Sequence, residues 1–167
     1  MIMIFVSSLN ENVKLADRIE KELNSKNYDT KIVNLVELDL PMYDTKKEQN
    51  DGIPQKALDL AKQMEEAQGY IFVSPEYNFS APPVLLNMIA WISRIGDNFR
   101  VLFALKKIQL ATHSGANGVD FLNTFRNQLT KLGAIVMPRD IITSYTVTIE
   151  KESLERILDQ YYLLLKE

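Results

Sequence analysis

The chain has 167 residues, 46% hydrophobic and 25% charged, which is enough to bury one ordinary core, so we expect residues 1–167 to form one domain. Its net charge of −3, with acidic and basic residues mixed, predicts no nucleic-acid partner. The absence of cysteine and the single histidine exclude thiolate metal sites, cysteine nucleophiles and multi-histidine metal centres, so no metal is expected.

Strands and helices are predicted to alternate through the first half of the chain. Short apolar runs between segments of helical period indicate strand–helix–strand units. The predicted elements are a strand over Ile2–Val6, a helix over Glu11–Ser25, a strand over Thr30–Asn34, a long loop over 36–54, a helix over 55–67 and a strand over 69–75. No apolar segment approaches the roughly 20 residues that a bilayer-spanning helix needs, and the first strand is too short for a signal peptide. We therefore expect a cytoplasmic protein without a membrane partner.

The second half continues the alternation. It is predicted to contain a helix over 83–95, a strand over 107–112, a helix over 119–132, a last strand in either 134–138 or 141–149, and a helix over Lys151–Lys166. Five strands alternating with five helices predict an α/β fold: a doubly wound parallel sheet in the order 2-1-3-4-5, with helices on both faces. The loops after strands 1, 3 and 4 then meet at the carboxyl edge of the sheet, where ligands bind in such folds.

The loop after strand 1, "SSLNEN", supplies Ser7, Ser8, Asn10 and Asn12 at the start of a helix. Their hydroxyl and amide groups, with the free N–H groups of the first helical turn, suit a phosphate. Ser and Asn are also the preferred helix caps, so capping remains the alternative. The loop contains no glycine, which excludes the glycine-rich dinucleotide and triphosphate loops.

The loop after strand 3, "SPEYNFSAPP", combines Tyr77 and Phe79 with three prolines. Flat apolar side chains beside stiff backbone suit a planar heteroaromatic ligand, while covering the end of the core is the alternative for both aromatics.

The loop after strand 4, "THSGANG", contains two glycines that allow a ligand to approach the backbone closely. His113 is either a proton donor or ligand contact, or a structural residue. Trp91, on the preceding helix, is assigned to the core or to a subunit interface.

Twelve residues at fixed spacing in "SPEYNFSAPPVLLNMIAWISR" resemble the motif P-E-Y-N-x-S-x-P-x-x-L-x-N-x-I-x-W-x-S-R of the NAD(P)H-dependent FMN reductase family. The resemblance implies a flavodoxin-like fold and FMN with NAD(P)H as co-substrate. The flavin ring would lie against Pro75, Glu76, Tyr77 and Asn78 on one side and His113, Ser114, Gly115 and Gly118 on another. Its phosphate would lie at Ser7, Ser8, Asn10 and Asn12.

The same resemblance implies an enzyme that passes hydride from a nicotinamide through FMN to a small acceptor such as a flavin, quinone, azo compound or metal oxyanion. No protein side chain is expected to be catalytic, since the flavin performs the chemistry. A homodimer or homotetramer built on the helix over 83–94 is also implied. The family's phosphate loop usually carries an arginine and a second serine, and here it is about three residues shorter and lacks both, which implies a weaker hold on the phosphate.

Two other functions are alternatives for a chain with this predicted fold, and the residues after strand 1 argue against the second. A non-enzymatic flavin-binding module, serving as electron carrier or sensor, would share the cavity without nicotinamide turnover. A receiver-like signalling domain would need acidic residues after strand 1, where Ser7 and Ser8 stand instead.

Overall fold

The computed structural model describes residues 1–97 and 99–166. The strands are β1 (Ile2–Val6), β2 (Thr30–Asn34), β3 (Gly69–Val73), β4 (Lys107–His113), β5 (Ile135–Val136) and β6 (Ile141–Thr143). The helices are α1 (Glu11–Ser25), α2 (Leu35–Leu38), α3 (Thr45–Asp51), α4 (Gln55–Glu66), α5 (Pro83–Ile92), α6 (Val119–Lys131) and α7 (Lys151–Lys166), with a 3₁₀ helix at Phe99–Leu102. Over these residues, no helix combines the length and the hydropathy that crossing a bilayer requires.

The strands form one parallel sheet in the order β2-β1-β3-β4-β5, which confirms the predicted order. β6 also pairs with β4, beyond β5 along the same edge. Both segments proposed for the last strand are therefore strand, separated by residues 137–140. The Gln109 side chain, inside β4, donates to the Arg139 carbonyl at 2.7 Å and so supports the interruption.

Two apolar cores lie on opposite faces of the sheet, because successive side chains of a strand point to opposite faces. On one face Met3, Phe5, Tyr70 and Phe72 pack with α4, α5 and α6. On the other, alternating residues of the same strands pack with α1 and α7. Helices on both faces are thereby confirmed, and the strand ends are held rigidly where the loops begin.

The segment predicted as a long loop over 36–54 instead contains helix α3 and all of α2 except its first residue. Each begins at an Asx cap: the Asn34 side chain accepts from the Val36 N–H at 3.0 Å, and Asp44 accepts from the Lys47 N–H at 2.7 Å. Such caps are a readable signal for a helix start, but helices this short have no apolar period to accompany it.

Motif residues on α5 and just after it anchor this segment. The Trp91 indole is fully buried, and its Nε1 donates to the Pro41 carbonyl at 2.6 Å. Asn87 accepts from the Tyr43 N–H at 2.8 Å, and Arg94 pairs with Glu48 at 3.0 Å. Of the two roles proposed for Trp91, the structure shows the core role. α5 ends at Ile92, before the predicted position 95.

Candidate functional site

The loops after β1, β3 and β4 surround one cavity of about 590 Å³ at the carboxyl edge of the sheet. This volume is within the range of small-molecule sites, roughly 300–1,000 Å³. Ten of the twelve predicted site residues line it: Ser7, Ser8, Asn10, Asn12, Pro75, Glu76, Tyr77, His113, Ser114 and Gly115. Asn78 and Gly118 are not among the lining residues. The roles of these ten residues in binding a ligand stay predictions.

The loop after β1 contains a buried, unpartnered hydroxyl in a residue that lines this cavity. Ser7 is 2% exposed, and its Oγ has no hydrogen-bond partner among the described residues. A buried polar group without a partner is costly, so a ligand atom that accepts or donates a hydrogen bond is favoured there. Asn10 has φ +58°, and its side chain makes no capping bond. The alternative left open by the sequence, that the Ser and Asn residues of this loop cap the helix, is therefore wrong, because α1 has no side-chain capping bond.

Asn12 joins the first loop to the third. Its Nδ2 donates to the His113 carbonyl and its Oδ1 accepts from the His113 N–H, both at 2.9 Å. These paired bonds engage both the oxygen and the nitrogen of the amide, so Asn12 fixes the distance between the two loops.

The loop after β3 makes a tight turn at the cavity mouth. Tyr77 and Ser80 exchange backbone hydrogen bonds at 2.9 and 3.0 Å, and the two residues between them, Asn78 and Phe79, both have positive φ. Tyr77 is 49% exposed and Phe79 is 74% exposed. Neither aromatic covers the core, so that alternative is wrong.

A small hydrogen-bond network ties the second loop to the third. The Ser114 Oγ accepts from the Glu76 N–H at 2.8 Å and shares a hydrogen bond with the Thr112 hydroxyl at 2.8 Å. The Glu76 carboxylate accepts from the Phe121 N–H at 2.9 Å, in the first turn of α6, where a negative charge is favoured by the helix dipole. Gly118, the buried residue before α6, has φ +65° and lies behind this network.

His113 is held by one ring nitrogen and leaves the other without a partner. Its Nδ1 is 3.0 Å from the Thr143 hydroxyl, and its buried Nε2 has no hydrogen-bond partner among the described residues. The ring of Tyr145 meets the imidazole edge-on at 5.0 Å and is 81% exposed at the cavity rim. The free Nε2 makes His113 a candidate ligand contact.

Sequence reasoning missed part of the lining. The additional residues are Leu9, Glu11, Val36, Pro82, Pro83, Val84 and Tyr145. Five of these lie in or beside the predicted loops, so their closeness in sequence to the predicted residues could have identified them. Val36 and Tyr145 come from α2 and from the segment after β6, and no local pattern in the sequence associates them with the other three loops.

The charges at the cavity are acidic. Glu11 and Glu76 line it, and among the described lining residues none is lysine or arginine. The hydrogen bond that Lys14 donates to Glu11 lowers the pKa of that carboxyl, so Glu11 is ionised at neutral pH. An anionic ligand here would be held by neutral donors and helix N–H groups rather than by a cation.

Residues 1–147 match the protein family described as "NADPH-dependent FMN reductase". In Escherichia coli (strain K12), a protein named quinone reductase is 44% identical over 59 residues, which are 35% of this chain and 31% of that protein. The chain thus spans about a third of the length of that relative.

Solved structures extend the similarity to the whole fold. FerB, a flavoenzyme NAD(P)H:(acceptor) oxidoreductase from Paracoccus denitrificans, superposes with a TM-score of 0.79 at 22% identity, covering 99% of this chain and 96% of that one. Oxidised flavodoxin 1 from Bacillus cereus superposes with a TM-score of 0.61 at 16% identity, covering 99% and 97%. At these identities the likeness establishes the fold, which is flavodoxin-like, as predicted.

Proposed function

Because this chain belongs to the NADPH-dependent FMN reductase family, we propose that it binds FMN in the cavity at the carboxyl edge of the sheet and oxidises NADH or NADPH. The acceptor is a small molecule of the class that includes flavins, quinones, azo compounds and metal oxyanions. The observation that carries the proposal is the convergence of three polar loops on one cavity of about 590 Å³.

The residues present fit a flavin with a terminal phosphate. The unpartnered Ser7 hydroxyl lies in the cavity wall, beside the N-terminus of α1, where N–H groups favour a phosphate. Pro75 and Tyr77 supply the flat, stiff surface that a fused ring needs. Ser7, Ser8 and Asn10 would hold the phosphate end, while Pro75, Tyr77 and Gly115 would border the ring.

When bound, FMN supplies the redox chemistry, accepting a hydride from the nicotinamide and giving the electrons to the acceptor. The protein's part is positioning. The Ser114–Glu76 bond and the Asn12–His113 pair set the spacing of the loops before any ligand arrives. Preorganisation of this kind contributes to the rate because the reacting groups need no further ordering.

The test is a flavin titration of the purified chain, followed by the change in flavin absorbance and fluorescence. FMN is expected to bind, and the FMN-loaded protein is expected to oxidise NADH or NADPH when a quinone or free flavin is supplied. Binding without nicotinamide oxidation would support the flavin-binding module instead. A protein that binds no FMN at saturating concentration would overturn the proposal.

Ser7→Ala removes the unpartnered hydroxyl and is expected to weaken FMN binding by about tenfold, the equivalent of one good hydrogen bond. Riboflavin, which lacks the phosphate, is expected to bind as before. Ser25→Ala, at the far end of α1, where the hydroxyl donates to the Glu22 carbonyl, is the matched control and should change neither affinity. An equal loss for both flavins would assign Ser7 to the ring or to the fold instead of the phosphate.

The resemblance also implies a homodimer or homotetramer through the helix over 83–94. Trp91 is unavailable for such an interface because it is buried within the chain, whereas Leu86, on the same helix, is exposed. We propose that any interface on this helix uses the side that carries Leu86.

A further inference from the structure

The first residue of α1 places a carboxylate where the phosphate of a flavin is proposed to lie. Glu11 lines the cavity together with Ser7, Ser8 and Asn10. A negative charge in the first turn stabilises the helix itself, but it competes with any anion that the same N–H groups would bind. The buried, unpartnered Ser7 hydroxyl points independently to a ligand at this end of the cavity.

The Glu11 carboxylate is paired with a lysine that is not among the lining residues of the cavity. The Lys14 Nζ donates to the Glu11 Oε1 at 2.6 Å, across one helical turn. Both side chains are partly exposed, so the contribution of the pair to folding is small. A phosphate at this loop would therefore lie near a carboxylate, while the lysine that partly neutralises this carboxylate is outside the lining.

We propose that Glu11 is a specificity-determining residue of this cavity: its negative charge lowers the affinity for a phosphate-bearing flavin relative to a phosphate-free one, and Lys14 partly neutralises that charge. The inference rests on the proposed function, since it presumes that a flavin binds with its phosphate at this loop. Its consequence is a site open to riboflavin as well as FMN, and a flavin that exchanges readily with solution.

The experiment compares dissociation constants for FMN and riboflavin in the wild-type chain, Glu11→Gln and Lys14→Gln, by fluorescence titration without nicotinamide. Glu11→Gln is expected to tighten FMN binding about threefold to tenfold, because it removes a like charge. Lys14→Gln is expected to weaken FMN binding by a similar factor, because the negative charge of Glu11 then has no lysine to neutralise it. Riboflavin is expected to bind all three proteins alike.

Asp17→Asn is the matched control. It removes the same charge from the exposed side of the same helix, outside the cavity lining, and should leave both affinities within about twofold. The Glu11→Gln effect should shrink at about 1 M salt, where the screening length falls to roughly 3 Å.

The outcomes separate the two proposals. Opposite shifts for FMN in the two single variants, with riboflavin unchanged, would support the inference. If the wild-type chain binds FMN and Glu11→Gln binds it equally well, or shifts both flavins equally, the inference falls while the proposed function stands. If no variant binds either flavin, both fall.

Discussion

Trp91→Ala is expected to lower the free energy of unfolding by about 3–5 kcal/mol, the range for removing a large aromatic side chain from a packed core. The indole is fully buried and meets the Tyr43 ring edge-on at 5.1 Å. Its Nε1 also holds the Pro41 carbonyl. The variant therefore loses packing on α5 and one anchor of the segment between α2 and α3. Chemical denaturation, monitored by circular dichroism, measures the loss.

Two further variants decide what the tryptophan does. Trp91→Phe keeps most of the buried area but loses the N–H donor, and should cost about 1–2 kcal/mol by leaving the Pro41 carbonyl without this partner. Leu86→Ala, on the exposed side of the same helix, should cost less than about 1 kcal/mol. If Trp91→Ala left stability unchanged and altered only the oligomeric state by light scattering, the tryptophan would be an interface residue and the packing argument would fail.

The sheet could be predicted because its signals are local. Short apolar runs such as Ile2–Val6 and Gly69–Val73 are buried strands, as the central strands of a parallel sheet are. These runs alternate with amphipathic helices, and because the crossovers between parallel strands are right-handed, few strand orders are possible. The last strand could not be resolved, because its interruption depends on Gln109 and on backbone bonds across the sheet. The short helices α2 and α3 were missed for a related reason, since tertiary anchors on α5 stabilise them.

The sequence predicted the part of the site that follows from the order of strands and loops along the chain. Loops that follow β1, β3 and β4 must meet at one edge of a parallel sheet, so ten residues in them lie around one cavity. Tyr145 belongs to the segment after β6, and its place beside His113 depends on where that interrupted strand ends. Asn78 and Gly118 lie in the predicted loops but not in the cavity lining, and both have positive φ. A residue pattern alone does not distinguish a residue needed for the backbone turn from one that contacts a ligand.

Gly118→Ala is expected to damage both the fold and the site. At φ +65° any L-residue with a Cβ costs about 1–2 kcal/mol. The added Cβ would also lie 2.8 Å from the Thr112 Oγ1 and 2.9 Å from the Ser114 Oγ, which must then move. Relieving such overpacking costs about 1–3 kcal/mol more. We therefore expect a total loss of about 2–5 kcal/mol in the free energy of unfolding.

Gly118→Ala is also expected to weaken FMN binding, because the Ser114 hydroxyl accepts the hydrogen bond from the Glu76 N–H. If this hydroxyl moves, the Glu76 N–H loses its acceptor, and the loops that border the proposed flavin ring are no longer held at a fixed spacing. FMN affinity should then fall by at least about tenfold, as for the loss of a buried hydrogen bond. Gly115→Ala is the control for stability, because a Cβ there meets no atom within 4 Å and should change the unfolding free energy by less than about 0.5 kcal/mol. Equal stability of the two variants would show that the Thr112 and Ser114 hydroxyls can move aside without loss of folding free energy. Glycine would then not be required at position 118.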